Sequence, residues 1–340
     1  MEILKRKRRV CVQKTVDTVK KIFNENGEVT FGGWSRSPLF QYNKKAYPNQ
    51  SKLVERDCYY ISSGDMGFYL SVETIGNELY IRIVHADFKT GKTVCDSINR
   101  KFMLEPKRLP ESGSLGEFSY TDKKIALTLT NTVDGRYIKC DFIDFGDFKN
   151  LFVKVRVRKL EGESMNTIAP FDGAPRCFYL KRFVPKFFAE GVVRLGGTDY
   201  NLTEGNSFVY FDWSRYVFPR KQRFQQLSGT GESDGRKFSI NLASKLGNNI
   251  RGSENCCFID NRLIKIGRLK VSEIGKGTER VWRFESVDGL VSLVFSPSSK
   301  MNCKCDKLSI IFGELNGTVQ NNDETVNIAK LRVHLISTNL

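Results

Sequence analysis

Two tripeptides and one carboxylate carry most of the chemistry this sequence can offer. Trp34-Ser35-Arg36 recurs as Trp213-Ser214-Arg215, and a guanidinium beside an indole can stack on its ring for about 0.5–2 kcal/mol. The second copy directly follows Asp212, in a segment of strand composition. Successive strand side chains point to opposite faces, so Phe208, Tyr210 and Asp212 share one face and Val209, Phe211 and Trp213 the other. Desolvation by aromatic neighbours raises a carboxyl pKa, and a protonated Asp212 would suit hydration or cyclisation of an alkene. The alternative is a structural Asp212 that pairs with Arg215 or accepts backbone hydrogen bonds at a strand end. The repeated tripeptide reads as an echo between two related halves, as the lining of a pocket, or as chance.

Other chemistries find little material. His85 and His334 are the only histidines, too few for a multi-histidine metal site and poorly suited to a triad. Cys256-Cys257 and Cys303-Lys304-Cys305 lack the Cys-x-x-Cys spacing of zinc sites, so no metal is expected. Gly229-Thr230-Gly231 is followed by neither the spacing nor the Lys-Ser/Thr of a phosphate loop. No cofactor is expected either.

The elements that must position these residues are strands. Leu151, Val153, Val155 and Val157 alternate with Lys154, Arg156 and Arg158; Ile125, Leu127 and Leu129 alternate with Thr128 and Thr130; Ala329, Leu331, Val333 and Leu335 alternate with Lys330, Arg332 and His334. Such alternation marks strands with one wet face. Asn26-Gly27, Asp134-Gly135, Gly196-Gly197 and Asp288-Gly289 suit tight hairpins, because those turns need positive φ. Residues 12–24, with Val16, Val19 and Phe23 near helical spacing, suggest a helix. Many strands without long helical crossovers imply closed or sandwiched antiparallel sheets.

A chain of 340 residues exceeds the size at which one core usually stops growing, which suggests two domains. Alternation lapses over 160–176, so the expected domains are 1–172 and 173–340. No run is apolar enough for a membrane helix, no apolar core follows the basic start as a signal peptide requires, and nine scattered cysteines fit a reducing compartment. A cytoplasmic protein is expected, with the nucleus as the alternative. The net charge is +16, of which residues 1–50 contribute +7 through eleven basic and four acidic side chains. The arm Lys5, Arg6, Lys7, Arg8 and Arg9 is either solvated or a contact for nucleic acid or an acidic membrane.

Motifs spread along the chain resemble a family known as domain of unknown function 2804. They include Gly33-Trp34-Ser35-Arg36-Ser37-Pro38-Leu39, Glu163-Ser164-Met165-Asn166, Gly191-Val192-Val193-Arg194-Leu195-Gly196-Gly197 and Asp212-Trp213-Ser214-Arg215. Asn241-Leu242, Glu254-Asn255, Val281-Trp282-Arg283-Phe284 and Phe295-Ser296-Pro297 continue the match in order. More distantly the chain is similar to the carotenoid hydratase, tocopherol cyclase and fungal Diels–Alderase group. The resemblance implies an all-β protein of two antiparallel lipocalin-like domains, barrel or sandwich, with few short helices. Family members continue past the second tripeptide with tryptophans, whereas this chain has Tyr216-Val217-Phe218-Pro219-Arg220 and Phe224.

Together these readings predict a hydrophobic small molecule, such as a lipid or isoprenoid, held by Trp34, Arg36, Tyr210, Trp213, Arg215 and Phe218. One alternative is a basic module for nucleic acid or acidic membranes, built on the arm and on Lys154, Arg156 and Arg158. The other is a hydratase or cyclase with Asp212 as its acid.

Overall fold

The computed structural model describes residues 13–146, 150–158, 162–186, 188–219, 223–244, 246–247, 250–321 and 324–338. The arm Lys5–Arg9 and Arg220 lie outside them. The chain is all-β, as the sequence predicts. Helical structure among the described residues is confined to three single 3-10 turns, Lys44–Ala46, Gln50–Lys52 and Gly277–Glu279.

Three large sheets enclose three main apolar cores. An eight-stranded sheet runs in the order Gly33–Ser35, Met165–Phe171, Ala174–Lys186, Ser207–Val217, Val54–Ser63, Met66–Ile75, Glu78–Asp87 and Lys92–Lys101. On one face lies a six-stranded sheet whose strands Gly116–Thr121, Ile125–Asn131, Gly135–Ile143, Asn150–Arg158, Glu190–Leu195 and Thr198–Leu202 pair as consecutive neighbours. Ile125, Leu127, Leu129, Val153, Val155 and Val157 of that sheet pack against Tyr59, Leu70, Ile83 and Phe211. Its other face is wet, which is why these strands alternate so cleanly.

The second face of the eight-stranded sheet meets a nine-stranded sheet formed by residues 225–338. Tyr60, Tyr69, Phe183 and Tyr210 pack there against Phe258, Ile310, Phe312 and Ile336. The nine-stranded sheet also curls around a core of its own, including Leu227, Ile240, Phe284, Leu293 and Val333. The eight-stranded sheet is therefore covered on both sides. Every residue of Glu55–Ser63 is buried, including Glu55, Arg56 and Asp57.

Hairpin chemistry sets the local register. Gly196 and Gly197 both have positive φ, at 55° and 90°, between Glu190–Leu195 and Thr198–Leu202. That is the left-handed geometry a two-residue turn requires.

One expectation is corrected. Residues 12–24 form no helix over their described part: Val16 N donates to Trp34 O at 2.8 Å and Lys20 N to Leu39 O at 2.8 Å. Extended pairing thus takes the amides a helix would need, and β-branched Val16 and Val19 suit it. Around residues 172 and 173 the chain makes a hairpin, where Phe171 pairs with Ala174. Sheet membership changes instead between Val217 and Gln225, because residues 165–217 complete the sheets begun by residues 33–158.

Candidate functional site

Both Trp-Ser-Arg copies belong to the eight-stranded sheet, with two strands between them, so they do not mark equivalent places in two halves. Ser35 lies opposite Asn166, Asn166 opposite Arg182, and Arg182 opposite Trp213. Each copy does form the expected stack: the Arg36 guanidinium lies 5.6 Å from the Trp34 ring and Arg215 4.4 Å from the Trp213 ring. The two indoles enter different layers, Trp34 with Tyr210 and Trp213 with Phe211.

Asp212 sits on the face toward the nine-stranded sheet and is 1% exposed. Its Oδ1 accepts from Ser214 Oγ at 2.6 Å, and its Oδ2 from Lys181 Nζ at 2.9 Å and Gln226 Nε2 at 3.2 Å. Arg56 Nη2 stands 3.8 Å away. Lys181 also pairs with Glu254 and donates to Asn241 Oδ1 at 2.8 Å, while Asn241 Nδ2 donates to Glu254 Oε2 at 2.8 Å. Burial alone would raise the Asp212 pKa, but Lys181 and Arg56 overcome it and hold the carboxyl below the usual range. Burial opposes the charge on Lys181 as well, and Asp212 and Glu254 overcome it and raise that pKa.

Asp212 is thus a carboxylate with both oxygens hydrogen-bonded by side chains. Its partner is not Arg215, which lies on the opposite face, fully buried, with Nη1 donating to Asp57 Oδ1 at 2.8 Å and Nε 3.5 Å from Glu55.

Tyr210, on the Asp212 face, bonds His334 Nε2 through its hydroxyl at 2.9 Å. Burial lowers His334 to about 3, so this imidazole is neutral. Phe218 belongs to neither layer. It stacks on Tyr216 with ring centroids 4.6 Å apart and meets Phe171 edge-on at 5.7 Å.

The cleft opens on the Trp213 face. One cavity of about 390 Å³ is lined by residues including Phe40, Tyr42, Gly113, Arg182 and Trp213. A second, of about 440 Å³, is lined by residues including Leu115, Val133, Arg136, Val157 and Val184. They share Pro38, Ser114 and Arg182. Tyr42 meets Trp213 edge-on at 5.7 Å, and the buried indole Nε1 of Trp213 has no hydrogen-bond partner among the described residues. Gly113 leans on the indole so closely that an added Cβ would lie 3.1 Å from its Cγ. The cleft thus joins an aromatic end, aliphatic walls and guanidinium groups.

Of the residues predicted from the sequence, only Trp213 lines this cleft, with Arg215 stacked on its ring. Trp34 and Arg36 line a separate opening with Glu163 and Arg262. Lys181, Glu254, Arg56, Gln226 and Asn241 were not anticipated. One signal was available for Lys181, a cation inside the apolar run Phe178-Tyr179-Leu180-Lys181-Arg182-Phe183-Val184.

The fold and cleft define an all-β, lipocalin-like protein of curled antiparallel sheets. A candidate AttH from Nitrosomonas europaea has a similar fold, with a TM-score of 0.54 at 8% identity over 88% of this chain and 96% of that one. Kievitone hydratase from Nectria haematococca has a TM-score of 0.51 at 11% identity, over 94% of this chain and 98% of that one. At such identities the likeness is one of fold. The chain belongs to the family described as domain of unknown function 2804, whose model matches residues 13–332. A search of curated proteins finds no match.

Proposed function

We propose that this protein binds a hydrophobic small molecule in the cleft beside Trp213. The observation that carries the reading is the pair of adjoining cavities of about 390 and 440 Å³, whose walls combine aromatic and aliphatic residues with about as many polar and charged ones. Small-molecule sites have this size, and they use polar groups among apolar walls to orient the ligand. Trp213 supplies a flat apolar surface and an unsatisfied donor that a ligand oxygen can meet.

The name of the fungal neighbour suggests hydration as a second chemistry. That reading needs a proton donor at the cleft, and Asp212 is ionised and faces the other side of the sheet. Binding is therefore the reading the geometry favours.

Titration with Nile red, a neutral apolar fluorophore, tests it. The wild type should bind the dye with an emission increase. Gly113→Leu, which pushes a side chain against the Trp213 ring, should weaken binding at least tenfold. Equal binding by the two proteins would place the dye elsewhere and overturn the assignment.

A further inference from the structure

Buried guanidinium groups in this protein usually meet carboxylates. Arg215 reaches Asp57 and Glu55, Arg82 reaches Glu73 and Asp306, and Arg56 approaches Asp212. Arg136 and Arg182 break the pattern. Both line the cleft and are partly buried, and neither forms an ion pair with a carboxylate among the described residues. Arg182 donates Nη1 to the neutral Ser114 Oγ at 2.7 Å, and its buried Nε has no partner. Arg136 donates to Asn131 Oδ1 at 2.7 Å and to the carbonyl of Gly113, and its guanidinium lies 3.6 Å from the Phe211 ring centroid.

The two charges also act on each other. Burial, and after it the like charge of Arg136, lower Arg182 to about 10. Asp57 feels Arg136 but is already held by Arg215. The only acidic side chain among the described residues lining the two cavities is Glu111, which is exposed and accepts from Lys44 N at 3.3 Å. Two like charges withdrawn from water without a counter-charge are unfavourable, and an anion placed between them removes both the repulsion and part of the desolvation cost. The neutral walls Leu115, Val133, Val157 and Val184 lie beside them.

From this arrangement we infer that the ligand of the cleft is an amphiphile with an anionic end, a carboxylate, phenolate or enolate, which Arg182 and Arg136 receive while the apolar body lies along the aliphatic wall. The inference rests on the cleft being the binding site.

Decanoate and decanol differ in charge at similar length, and competition of each against bound Nile red tests the inference. Decanoate should displace the dye at a concentration at least tenfold lower than decanol does. In Arg182→Gln that ratio should fall toward one, while Arg182→Lys, which keeps the charge, should retain most of it. Equal displacement by the two probes in the wild type would overturn the anionic assignment and leave the cleft as a site for neutral ligands. Failure of both to displace the dye would overturn the site itself, and the anionic end with it.

Discussion

The strand Ser207–Val217 presents opposite solutions on its two faces. Toward the nine-stranded sheet, Asp212 and Ser214 enter a network in which two cations, Lys181 and Arg56, meet two carboxylates, Asp212 and Glu254. Toward the six-stranded sheet, Trp213 borders a cleft in which Arg136 and Arg182, unlike Arg158 with Glu190, form no ion pair with a carboxylate among the described residues. A satisfied buried network specifies how two sheets dock, because any other docking strands a charge. An unsatisfied group beside a cavity is instead a place for something else to bind. The carboxylate that sequence reading singled out is on the first face, and the proposed binding cleft is on the second.

The largest test of this contrast is Lys181→Met. It leaves Asp212 and Glu254 buried without their shared cation, and stability should fall by about 3–5 kcal/mol in urea unfolding. A loss below about 1 kcal/mol would mean that the network does not hold the sheets together.

Acid should act on both faces, through His334 toward the nine-stranded sheet and His85 toward the six-stranded one. Burial keeps His334 neutral, at about 3, and His85 at about 4, against an ordinary value of 6.5. Between those values the unfolded chain binds more protons than the folded one, so stability falls as pH drops below 6.5 and the loss is complete near pH 3. For His334 the loss is of order 4 kcal/mol. His334→Gln should remove that share of the slope, measured as unfolding free energy against pH. An unchanged slope would show that the ring is not desolvated.

The cleft face should respond in binding and barely in stability. Trp213→Phe keeps the aromatic bulk and removes Nε1, which had no partner, so unfolding should shift by roughly 1 kcal/mol or less. Nile red affinity should drop several-fold as the indole surface is lost. Stability that falls as far as in Lys181→Met would make the two faces alike.

The smallest effect belongs to Arg36→Ala. Its bridge to Glu163 is exposed, with side-chain accessibilities of 48% and 35%, and a pair of that kind is worth about 0–1 kcal/mol. The contrast with Lys181 isolates what burial adds to an ion pair.

Legibility from sequence followed solvent exposure. The strands Ile125–Asn131 and Asn150–Arg158 were readable because one face is wet and the pattern has period two. Val54–Ser63 was not, since both faces are covered and its residues Glu55-Arg56-Asp57 look like a surface segment. The assignment of Asp212 and Trp213 to opposite faces was correct, because strand geometry alone fixes it. The network around Asp212 was not legible, since its partner Lys181, and Glu254 that shares Lys181, lie 31 and 42 residues from it and come together only through sheet pairing and sheet docking.

The sequence by itself determined the all-β class, the family, the stacking of Arg on Trp within each tripeptide, and which side chains of each strand share a face. These depend on short-range alternation and on motifs read in order. Tertiary structure decided that both tripeptides lie in one sheet and that Asp212 is enclosed beside Lys181 and Arg56. It also decided that Arg182 and Arg136 meet at a cleft. Each of these depends on which sheet covers which face, and that is set by the packing of strands far apart in the chain.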